Sequence, residues 1–319
     1  MKILNIRSLI SFLILTVIIY SILIIVGDYQ KISEELMTLN LWIIPAVMFF
    51  AWLDDFIRFF KWDYYLRRLN IKIPKKLSFF IFFSGLSMSI TPGKIGEVLK
   101  SYLLKKARGI KMRKSVMVVV FERLTDVLGL AILALLGAFT FINNSYFLVL
   151  ISILISLLFI AFMMLSSKRV FLKLSKILVK IPFVKKYVKY INNIFKTSKS
   201  LLSVKVLAFS TLISVVSWFS ECFGFYILMQ ALGSPIPILT AMFIFSFSSI
   251  FGSIIFLPGG LGASEGSFVA LLLFVGVSLA TASLATILIR LCTLFWGIFI
   301  GIVSLTLLNR MIETSMRRK

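Results

Sequence analysis

Residues 92–96 read PGKIG and residues 258–262 read PGGLG, and each of these Pro-Gly turns interrupts an apolar stretch. The two turns lie 166 positions apart, counted from Pro92 to Pro258. An ordered recurrence at fixed spacing predicts two copies of one structural unit. Further pairs recur in the same order, the arginine pair with one inserted residue: Trp52 and Trp218, Asp55 and Glu221, Ser87 and Ser253, and Arg123 and Arg290.

The composition indicates that the chain is surrounded by lipid. Hydrophobic residues make up 60% of its 319 residues, Phe alone accounts for 32 of them, and the mean hydropathy is +1.04. A water-soluble globule cannot bury that much apolar surface. Several apolar stretches reach the roughly 20 residues that cross a bilayer as a helix, and strand alternation is absent. The predicted fold class is therefore an all-α, polytopic membrane protein.

The basic charge favours a membrane face over a nucleic-acid site. The formal net charge is +23, and the Lys and Arg residues stand beside the apolar stretches. That placement is typical of a cytoplasmic face that follows the positive-inside rule and touches anionic headgroups. Both cysteines lie inside apolar segments and histidine is absent. We therefore expect no disulfide framework, no metal site and no bound cofactor.

Apolar length and basic flanks together predict six spanning helices in a cell-membrane protein, with both termini in the cytoplasm. Arg58 and Lys61 are assigned to a basic cytoplasmic loop after the second span. The first span is interpreted as a retained signal anchor. The predicted spans are residues 8–26, 41–60, 115–142, 147–165, 206–232 and 282–308.

Two interrupted stretches are predicted to enter and leave the membrane on the same side. Residues 77–104 break at Pro92 and have basic loops at both ends, which indicates a re-entrant hairpin with its turn near mid-membrane. Residues 238–275 break at Pro258 and have no basic flank, so they are placed as a second hairpin that enters from the opposite side. The alternative is two full spans, giving eight transmembrane segments in all, because these would leave the same ends on the same sides.

Residues 1–319 are interpreted as a single transmembrane domain. Repeat one covers about residues 41–142 and repeat two about residues 206–308, in opposite orientations. Inverted repeats whose broken elements meet near the midplane are the architecture of alternating-access transporters. Between the repeats, about residues 168–205 hold eleven basic residues and no acidic one. This stretch fits amphipathic helices on the cytoplasmic interface, and a solvated lysine-rich linker is the alternative.

The hairpin tips form a candidate anion site. Where a helix restarts after a Pro-Gly turn, backbone N–H groups and the positive end of the helix dipole point into the protein, and glycine lets a ligand approach closely. Lys94 lies beside the first tip. The alternative is that the glycines only turn the hairpins and pack their arms. The tip residues are Pro92, Gly93, Gly96, Pro258, Gly259, Gly260 and Gly262.

Charged residues inside the apolar segments are candidates for headgroup binding or gating, because charge is costly to bury in a membrane. Glu122, Arg123 and Asp126 share one predicted helix, with the two acids on one face. Arg290 is the counterpart of Arg123 and has no acid nearby in its own segment. Together with Lys94 these residues form the predicted headgroup or gating set. A structural ion pair between the repeats is the alternative for either arginine.

Four acids are candidates for carrying a coupling proton. Asp55 and Glu221 occupy matching positions in the two repeats, while Glu97 and Glu265 lie in the first turns after the tips. For the latter two, the alternative is stabilisation of a helix start. For Asp55, the alternative is an ion pair with Arg58, one helical turn away.

Three motifs resemble the flippase-like transmembrane family, the membrane region of lysylphosphatidylglycerol synthases: PGKIGEVLKSYLLKK at 92–106, FERLTD at 121–126 and LPGGLGASEG at 257–266. The resemblance covers roughly the whole chain and implies a membrane domain that translocates lipid. In multiple peptide resistance factors, this region flips an aminoacylated phospholipid made by an attached synthase domain. No such synthase domain is recognised here, so lysyl transfer is not implied. The family's marked positions match Pro92, Gly93, Gly96, Glu97, Glu122, Arg123, Asp126, Pro258, Gly259, Gly260, Gly262 and Glu265.

The predicted function is a flippase for a lipid or a lipid-linked sugar, working by alternating access between the repeats. The expected partners are membrane lipids, either an anionic phospholipid or a substrate linked to polyprenyl phosphate, with a homo-oligomer or a separate synthase partner left open. Signatures of enzymes are absent from the sequence, including nucleotide-binding and nucleophile motifs, so no enzyme activity is predicted. Two alternatives are kept: a membrane-embedded enzyme or accessory subunit in phospholipid or polyprenyl-linked glycan metabolism, and a secondary transporter of a small anion.

Overall fold

The computed structural model describes residues 6–91, 96–141, 201, 203–255 and 257–317. Throughout these ranges the regular elements are helices, and the prediction of an all-α polytopic membrane protein is confirmed. The helices are α1 (Ile6–Val26), α2 (Tyr29–Thr38), α3 (Ile43–Arg68), α4 (Lys75–Leu86), α5 (Leu99–Arg108), α6 (Met112–Ala138), α7 (Val204–Ala231), α8 (Ile238–Ile254), α9 (Ala263–Phe274), α10 (Leu279–Arg290) and α11 (Trp296–Arg317).

The outward surface of the helices is apolar. On α1, Val17 is 65% exposed and Ile25 is 75% exposed, and α6, α7 and α11 also present large apolar side chains outward. A surface of this kind fits lipid and not water. Within the described ranges, three helical stretches have the length and composition to cross a bilayer, and α1 with α2, bent by 92°, is a fourth candidate. The three are Met112–Phe141, Val204–Ala231 and Leu279–Thr314.

Helix α3 is longer than the span that the sequence predicts. Its 26 residues extend about 39 Å, enough to cross the hydrocarbon core. The assignment of Arg58 and Lys61 to a cytoplasmic loop is wrong, because the helix continues beyond both and buries them against acids of the interior. The helix ends where Asn70 adopts a left-handed conformation, and the N–H of Ile71 then donates to the Leu66 carbonyl oxygen at 2.9 Å.

Both interrupted stretches consist of helices that are short for a bilayer span. α4 and α5 have 12 and 10 residues, or about 18 and 15 Å. α8 and α9 have 17 and 12 residues, or about 26 and 18 Å. Because one span needs about 20 residues, residues 238–275 fit a hairpin better than two full spans. The second tip contains a 3₁₀ turn at Pro258–Gly260, while residues 92–95 of the first tip lie outside the described residues.

The described helices follow the same order in the two predicted repeats. Unit one contains α3, the hairpin helices α4 and α5, and α6. Unit two contains α7, the hairpin helices α8 and α9, and α10, which continues through a π-helical turn at Leu291–Phe295 into α11. The predicted span 147–165 and most of the predicted linker 168–205 lie outside the described residues. The repeat boundaries, 41–142 and 206–308, stay predictions.

The interior has two main hydrophobic cores, one toward each end of the bundle. One core holds the end of α3, the start of α6 and both helices of the first hairpin. The other holds the start of α3, the end of α6 and both helices of the second hairpin. Because α3 and α6 each run from one core to the other, the two hairpins lie at opposite ends of the bundle.

The two units exchange packing partners. α4 packs against α11, α8 packs against α6, and α3 packs along α7. Glycine permits both hairpin contacts. A β-carbon built on Gly301 would lie 2.8 Å from the Leu86 carbonyl carbon, and one built on Gly137 would lie 2.5 Å from the Phe243 backbone nitrogen. Each hairpin therefore packs closely on the last long segment of the other unit.

The substitution Gly301→Ala should destabilise the protein by about 1–3 kcal/mol, because the added methyl group would overlap the backbone of α4 near Leu86. Gly266→Ala, within α9, is the control, since a β-carbon there meets nothing within 4 Å. That variant should keep or slightly raise the stability. Thermal unfolding of the detergent-solubilised variants measures both, and equal melting temperatures would contradict the packing described.

Candidate functional site

A cavity of about 90 Å³ lies where the two hairpins meet. Ser89 and Thr91 line it from the first hairpin, and Gly259 and Gly260 line it from the second. The described parts of the two tips are therefore neighbours in the interior. A small apolar cluster also joins them, formed by Phe12, Ile90, Leu261 and Leu294.

Charged side chains from both units line this cavity. Unit one contributes Asp55 and Arg58, and unit two contributes Glu221 and Arg290. A carboxylate therefore lines the cavity from each unit, and the two carboxylates occupy matching positions of the predicted repeats. The guanidinium of Arg58 lies 5.3 Å from the ring centre of Trp218, a cation–π contact that holds it at the wall.

The second tip is shaped by glycine. Gly259 and Gly260 have φ values of 63° and 68°, a region that residues with a β-carbon rarely adopt. A β-carbon on Gly260 would lie 2.8 Å from the carbonyl oxygen of Gly252, so this close approach to α8 excludes a side chain. The carbonyl oxygen of Gly259 accepts a hydrogen bond from Nη2 of Arg290 at 2.7 Å. The turn is thereby tied to the arginine at the cavity wall.

Arg290 has an acidic partner that comes from another helix. Its Nε donates to Oε1 of Glu265 at 2.6 Å, and Oε2 of Glu265 accepts the N–H of Gly262 at 2.7 Å. The carboxylate therefore stabilises the start of α9 and neutralises Arg290 at the same time. No acid stands near Arg290 in its own segment, and the second hairpin supplies one because α9 packs against α10.

The same type of pair occurs in unit one. Nη1 of Arg123 lies 3.3 Å from Oε1 of Glu97. In both units, the arginine of the last long segment thus contacts the acid that follows the hairpin tip. Glu97 directly follows Gly96, whereas Glu265 stands three residues after Gly262. The two acids therefore stand at different distances from the tip glycine, and a comparison at fixed spacing does not pair them.

A network of buried charges fills the interior of unit one. Asp126 is 3% exposed and contacts Lys61. Its Oδ2 also lies 2.8 Å from Nη2 of Arg123 and 3.6 Å from Nη2 of Arg58. Lys61, 0% exposed, in turn donates to Oγ of Ser214 on α7 at 2.7 Å. The network therefore joins α3 and α6 to the first helix of unit two.

Lys100 extends the network to the first hairpin. Its Nζ lies 2.7 Å from Oε2 of Glu122 and 3.0 Å from Oε2 of Glu97. The same ammonium group lies 5.1 Å from the ring centre of Trp62 and 5.0 Å from that of Phe82. Two carboxylates and two aromatic faces thus neutralise a lysine that is almost fully buried.

Sequence reasoning missed four members of the network, namely Asp54, Arg58, Lys61 and Lys100. Asp54 accepts a hydrogen bond from Arg58 at 3.0 Å. The four-residue spacing of this pair, which puts both side chains on one helix face, could have identified it. Lys61 pairs across helices, so no local spacing reveals its burial.

Most of the network has no equivalent at the matching positions of unit two. Among the described ion pairs, unit two contains only Arg290 with Glu265. Asp55 and Arg123 keep charged counterparts, but most of the network does not. The counterparts of Arg58, Lys61, Glu122 and Asp126 are Gly224, Ile227, Ile289 and Thr293.

The predicted site residues divide between the cavity and its surroundings. Those that line the cavity are Asp55, Glu221, Gly259, Gly260 and Arg290. Those that form ion pairs behind it are Glu97, Glu122, Arg123, Asp126 and Glu265. Those that belong to the turns are Gly96, Pro258 and Gly262. Those outside the described residues are Pro92, Gly93 and Lys94. Within the described ranges, no group of three or more acidic or cysteine side chains is arranged to hold a metal ion.

A family model described as lysylphosphatidylglycerol synthase TM region matches residues 9–301. The chain belongs to this family. The resemblance carried by the three sequence motifs is thereby confirmed. Membership of the family, together with the long apolar helices, identifies a multi-pass membrane protein.

Two relatives carry the name UPF0104 membrane protein. The one from Methanocaldococcus jannaschii is 26% identical over 223 residues, which are 70% of this chain and 94% of that protein. The one from Methanothermobacter thermautotrophicus is 34% identical over 103 residues, which are 32% of this chain and 30% of that protein. The second match thus spans less than a third of the relative's length. Neither name states a substrate.

The substitution Asp126→Asn should destabilise the protein by about 3–5 kcal/mol, because it leaves buried cations such as Lys61 without their charge partner. Asp63→Asn is the control: it breaks a pair of 2.7 Å with Arg67, whose side chain is 64% exposed, and should cost less than about 1 kcal/mol. Thermal unfolding in detergent compares the two. If both variants have the same melting temperature, the network does not stabilise unit one as described.

Proposed function

We propose that the chain translocates a lipid or a lipid-linked sugar across the membrane, by alternating access between two inverted repeats. The observation that carries the proposal is the cavity between the hairpins, which is lined by charged side chains of both units. Charge around a cavity inside a membrane protein is costly, and in transporters it marks the path of a substrate or ion. Broken elements that meet from opposite ends are the corresponding architecture, and the location of the hairpins in opposite cores supports this interpretation.

In the proposed mechanism, only the polar headgroup enters the cavity. A volume of about 90 Å³ admits a phosphate group or several water molecules but no acyl chains. Arg58 and Arg290 supply charge-assisted hydrogen bonds for phosphate oxygens. Gly259 and Gly260 place the backbone of the second tip at the wall of this cavity.

The outer face of the second hairpin offers a path for the acyl chains. Phe251, Ile254 and Leu257 are 41%, 59% and 37% exposed. Their neighbours Gly252 and Ser253 line the cavity. A lipid whose headgroup occupies the cavity would therefore keep its chains on this apolar face, in contact with the bilayer.

Unit two is the proposed moving part. Its arginine, Arg290, is held by one carboxylate, and a π-helical turn at Leu291–Phe295 directly follows it. Such turns are rare and occur frequently at functional sites. Arg290 also holds the carbonyl oxygen of Gly259 in the tip. A phosphate that competes with Glu265 for this arginine would loosen the tip, and headgroup binding would thereby be coupled to movement of the hairpin.

For proton coupling, we retain Asp55 and Glu221 from the four acids considered. Glu97 and Glu265 do not belong to the described lining of the cavity, whereas Asp55 and Glu221 line it from different units. The ion pair considered for Asp55 is present, with its Oδ1 3.4 Å from Nη1 of Arg58, so this acid would exchange a proton within that pair. Protonation of either acid would add positive charge to the cavity and so strengthen its attraction for an anionic headgroup.

The substitution Arg290→Gln should slow the transbilayer movement of lipid by at least about tenfold without preventing insertion, because it removes a charge-assisted donor from the cavity. Reconstitution into liposomes that contain fluorescent phospholipids or polyprenyl phosphates measures the rate. Arg67→Gln, at an exposed arginine, is the control and should keep the wild-type rate.

Folded wild-type protein that moves no lipid across a broad panel would overturn the proposal. Thermal stabilisation by small anions alone would then favour the small-anion transporter, because a ligand that binds only the folded state raises its apparent stability. Formation of a lipid or glycan product by the purified protein would favour the enzyme alternative.

The substitution Glu221→Gln should remove the response of the transport rate to a pH gradient, because the amide cannot take up a proton at the cavity. The same liposomes, with a pH difference imposed across the membrane, measure this response. Glu34→Gln on α2, at an exposed acid, should behave like the wild type. An identical gradient response in Glu221→Gln and wild type would exclude Glu221 as the carrier.

A further inference from the structure

A second cavity, of about 700 Å³, lies at the end of the bundle where α3 and α5 end and α6 begins. We call it the end pocket. Asn70, Ile71 and Ile110 form its uncharged wall. The remaining residues of its described lining are all basic: Lys72, Arg108, Lys111, Arg113 and Lys114.

The ends of the helices bring these bases around one space. α3 ends at Arg68, and the left-handed conformation of Asn70 (φ 52°) then turns the chain toward Lys72. α5 ends at Arg108, and the N–H of the following Gly109 (φ 67°) donates to the Lys105 carbonyl oxygen at 2.9 Å. α6 then begins at Met112. The connection between α5 and α6 is short. The bases at the end of α5 and those at the start of α6 therefore both lie against the end of α3.

The charge of the end pocket is uncompensated within the described part of the chain. None of its five bases lies within ion-pair distance of a described carboxylate, whereas the five buried or half-buried bases of the interior are all paired. The acid Asp63, near the end of α3, is engaged by Arg67. Like charges around one space repel each other, and a bound anion relieves that repulsion.

We propose that the end pocket binds a phosphate-bearing ligand, whose source is either a lipid headgroup or a soluble phosphate ester. A phosphate monoester carries close to two negative charges and three acceptor oxygens, which matches several converging cations. Arg108 and Arg113 can each bind phosphate through two parallel hydrogen bonds, and the lysines add point charges. The volume is in the range of ligand pockets and leaves room for a group attached to the phosphate.

The depth of the end pocket fits a headgroup. Met112, the first residue of α6, also begins a stretch long and apolar enough to cross a bilayer. The pocket therefore lies at the membrane–water boundary, where basic segments attract anionic lipid. Ile71 and Ile110 connect its wall to the adjacent hydrophobic core.

The end pocket and the cavity between the hairpins share no described lining residue. The inference therefore does not rest on lipid translocation. The two tests are independent: the end pocket can fail to bind phosphate while the protein transports lipid in liposomes, and it can bind phosphate while the protein transports no lipid.

The test compares two arginine pairs at the same end of the bundle. Arg108→Gln/Arg113→Gln removes two charges from the end pocket, and Arg67→Gln/Arg68→Gln removes two charges from exposed positions that do not line it. Full-length protein in detergent is titrated with phosphatidic acid, with phosphatidylcholine as the neutral lipid, and retained lipid is measured by native mass spectrometry. Inorganic pyrophosphate is the soluble probe, titrated both alone and in competition with phosphatidic acid.

The pocket variant should bind phosphatidic acid at least about tenfold more weakly, and the control variant less than about threefold. Binding of phosphatidic acid without pyrophosphate identifies a lipid source, while full competition by pyrophosphate identifies a soluble phosphate ester. Equal weakening by both variants would overturn the proposal, because the response would then belong to the basic face as a whole. The absence of binding by either phosphate probe to the wild type would overturn it as well.

A second variant separates recognition from folding. Arg108→Lys/Arg113→Lys keeps the charge of the end pocket but removes the two-pronged hydrogen bonds of the guanidinium groups. Its affinity for the bound phosphate probe should fall between those of the wild type and the glutamine variant, with an unchanged melting temperature in the absence of ligand. Wild-type affinity in this variant together with wild-type affinity in the glutamine variant would exclude both arginines from the site.

Discussion

Charge inside a low-dielectric interior has to be neutralised where it lies, and Asp126 meets this constraint for unit one. The carboxylate faces three cations from α3 and α6 and is linked through a lysine to a serine of α7. An unpaired charge at this position would cost several kcal/mol. These ion pairs and hydrogen bonds therefore hold α3, α6 and α7 in a defined arrangement. The first hairpin is added to that arrangement when Lys100 of α5 reaches Glu122.

The two units neutralise their interior charges in different ways, and under the proposed mechanism this difference separates a rigid unit from a moving one. In unit one, Arg58 and Lys100 each have more than one carboxylate, so the loss of any single contact leaves another. In unit two, Arg290 has the carboxylate of Glu265 and one carbonyl oxygen. In the proposed mechanism, an anion that enters the cavity between the hairpins meets several ion pairs on the side of unit one, and it competes only with Glu265 for Arg290 on the side of unit two.

The fold class and the two hairpins could be predicted because local properties encode them: apolar run length, Pro-Gly interruptions and basic flanks. Part of the site was accessible for the same reason, since Asp55 and Glu221 stand out as acids within apolar stretches. The contact of Lys61 with Asp126 could not be predicted, because it joins residues far apart in the chain. Hydropathy also treats a lysine at the edge of an apolar run as solvated, and it cannot distinguish that case from a buried ion pair.

α4 of the first hairpin packs against α11, the last described helix. The first hairpin is therefore synthesised long before the helix that it packs against. Until α11 has been synthesised, the face of α4 that packs against it is not covered by protein. Lipid or the insertion machinery must cover it until the ribosome has delivered most of the chain. Each helix can enter the bilayer in turn, but the interlocked tertiary structure can close only when the last described helix arrives. If either half were expressed alone, its hairpin would lack the helix of the other unit against which it packs.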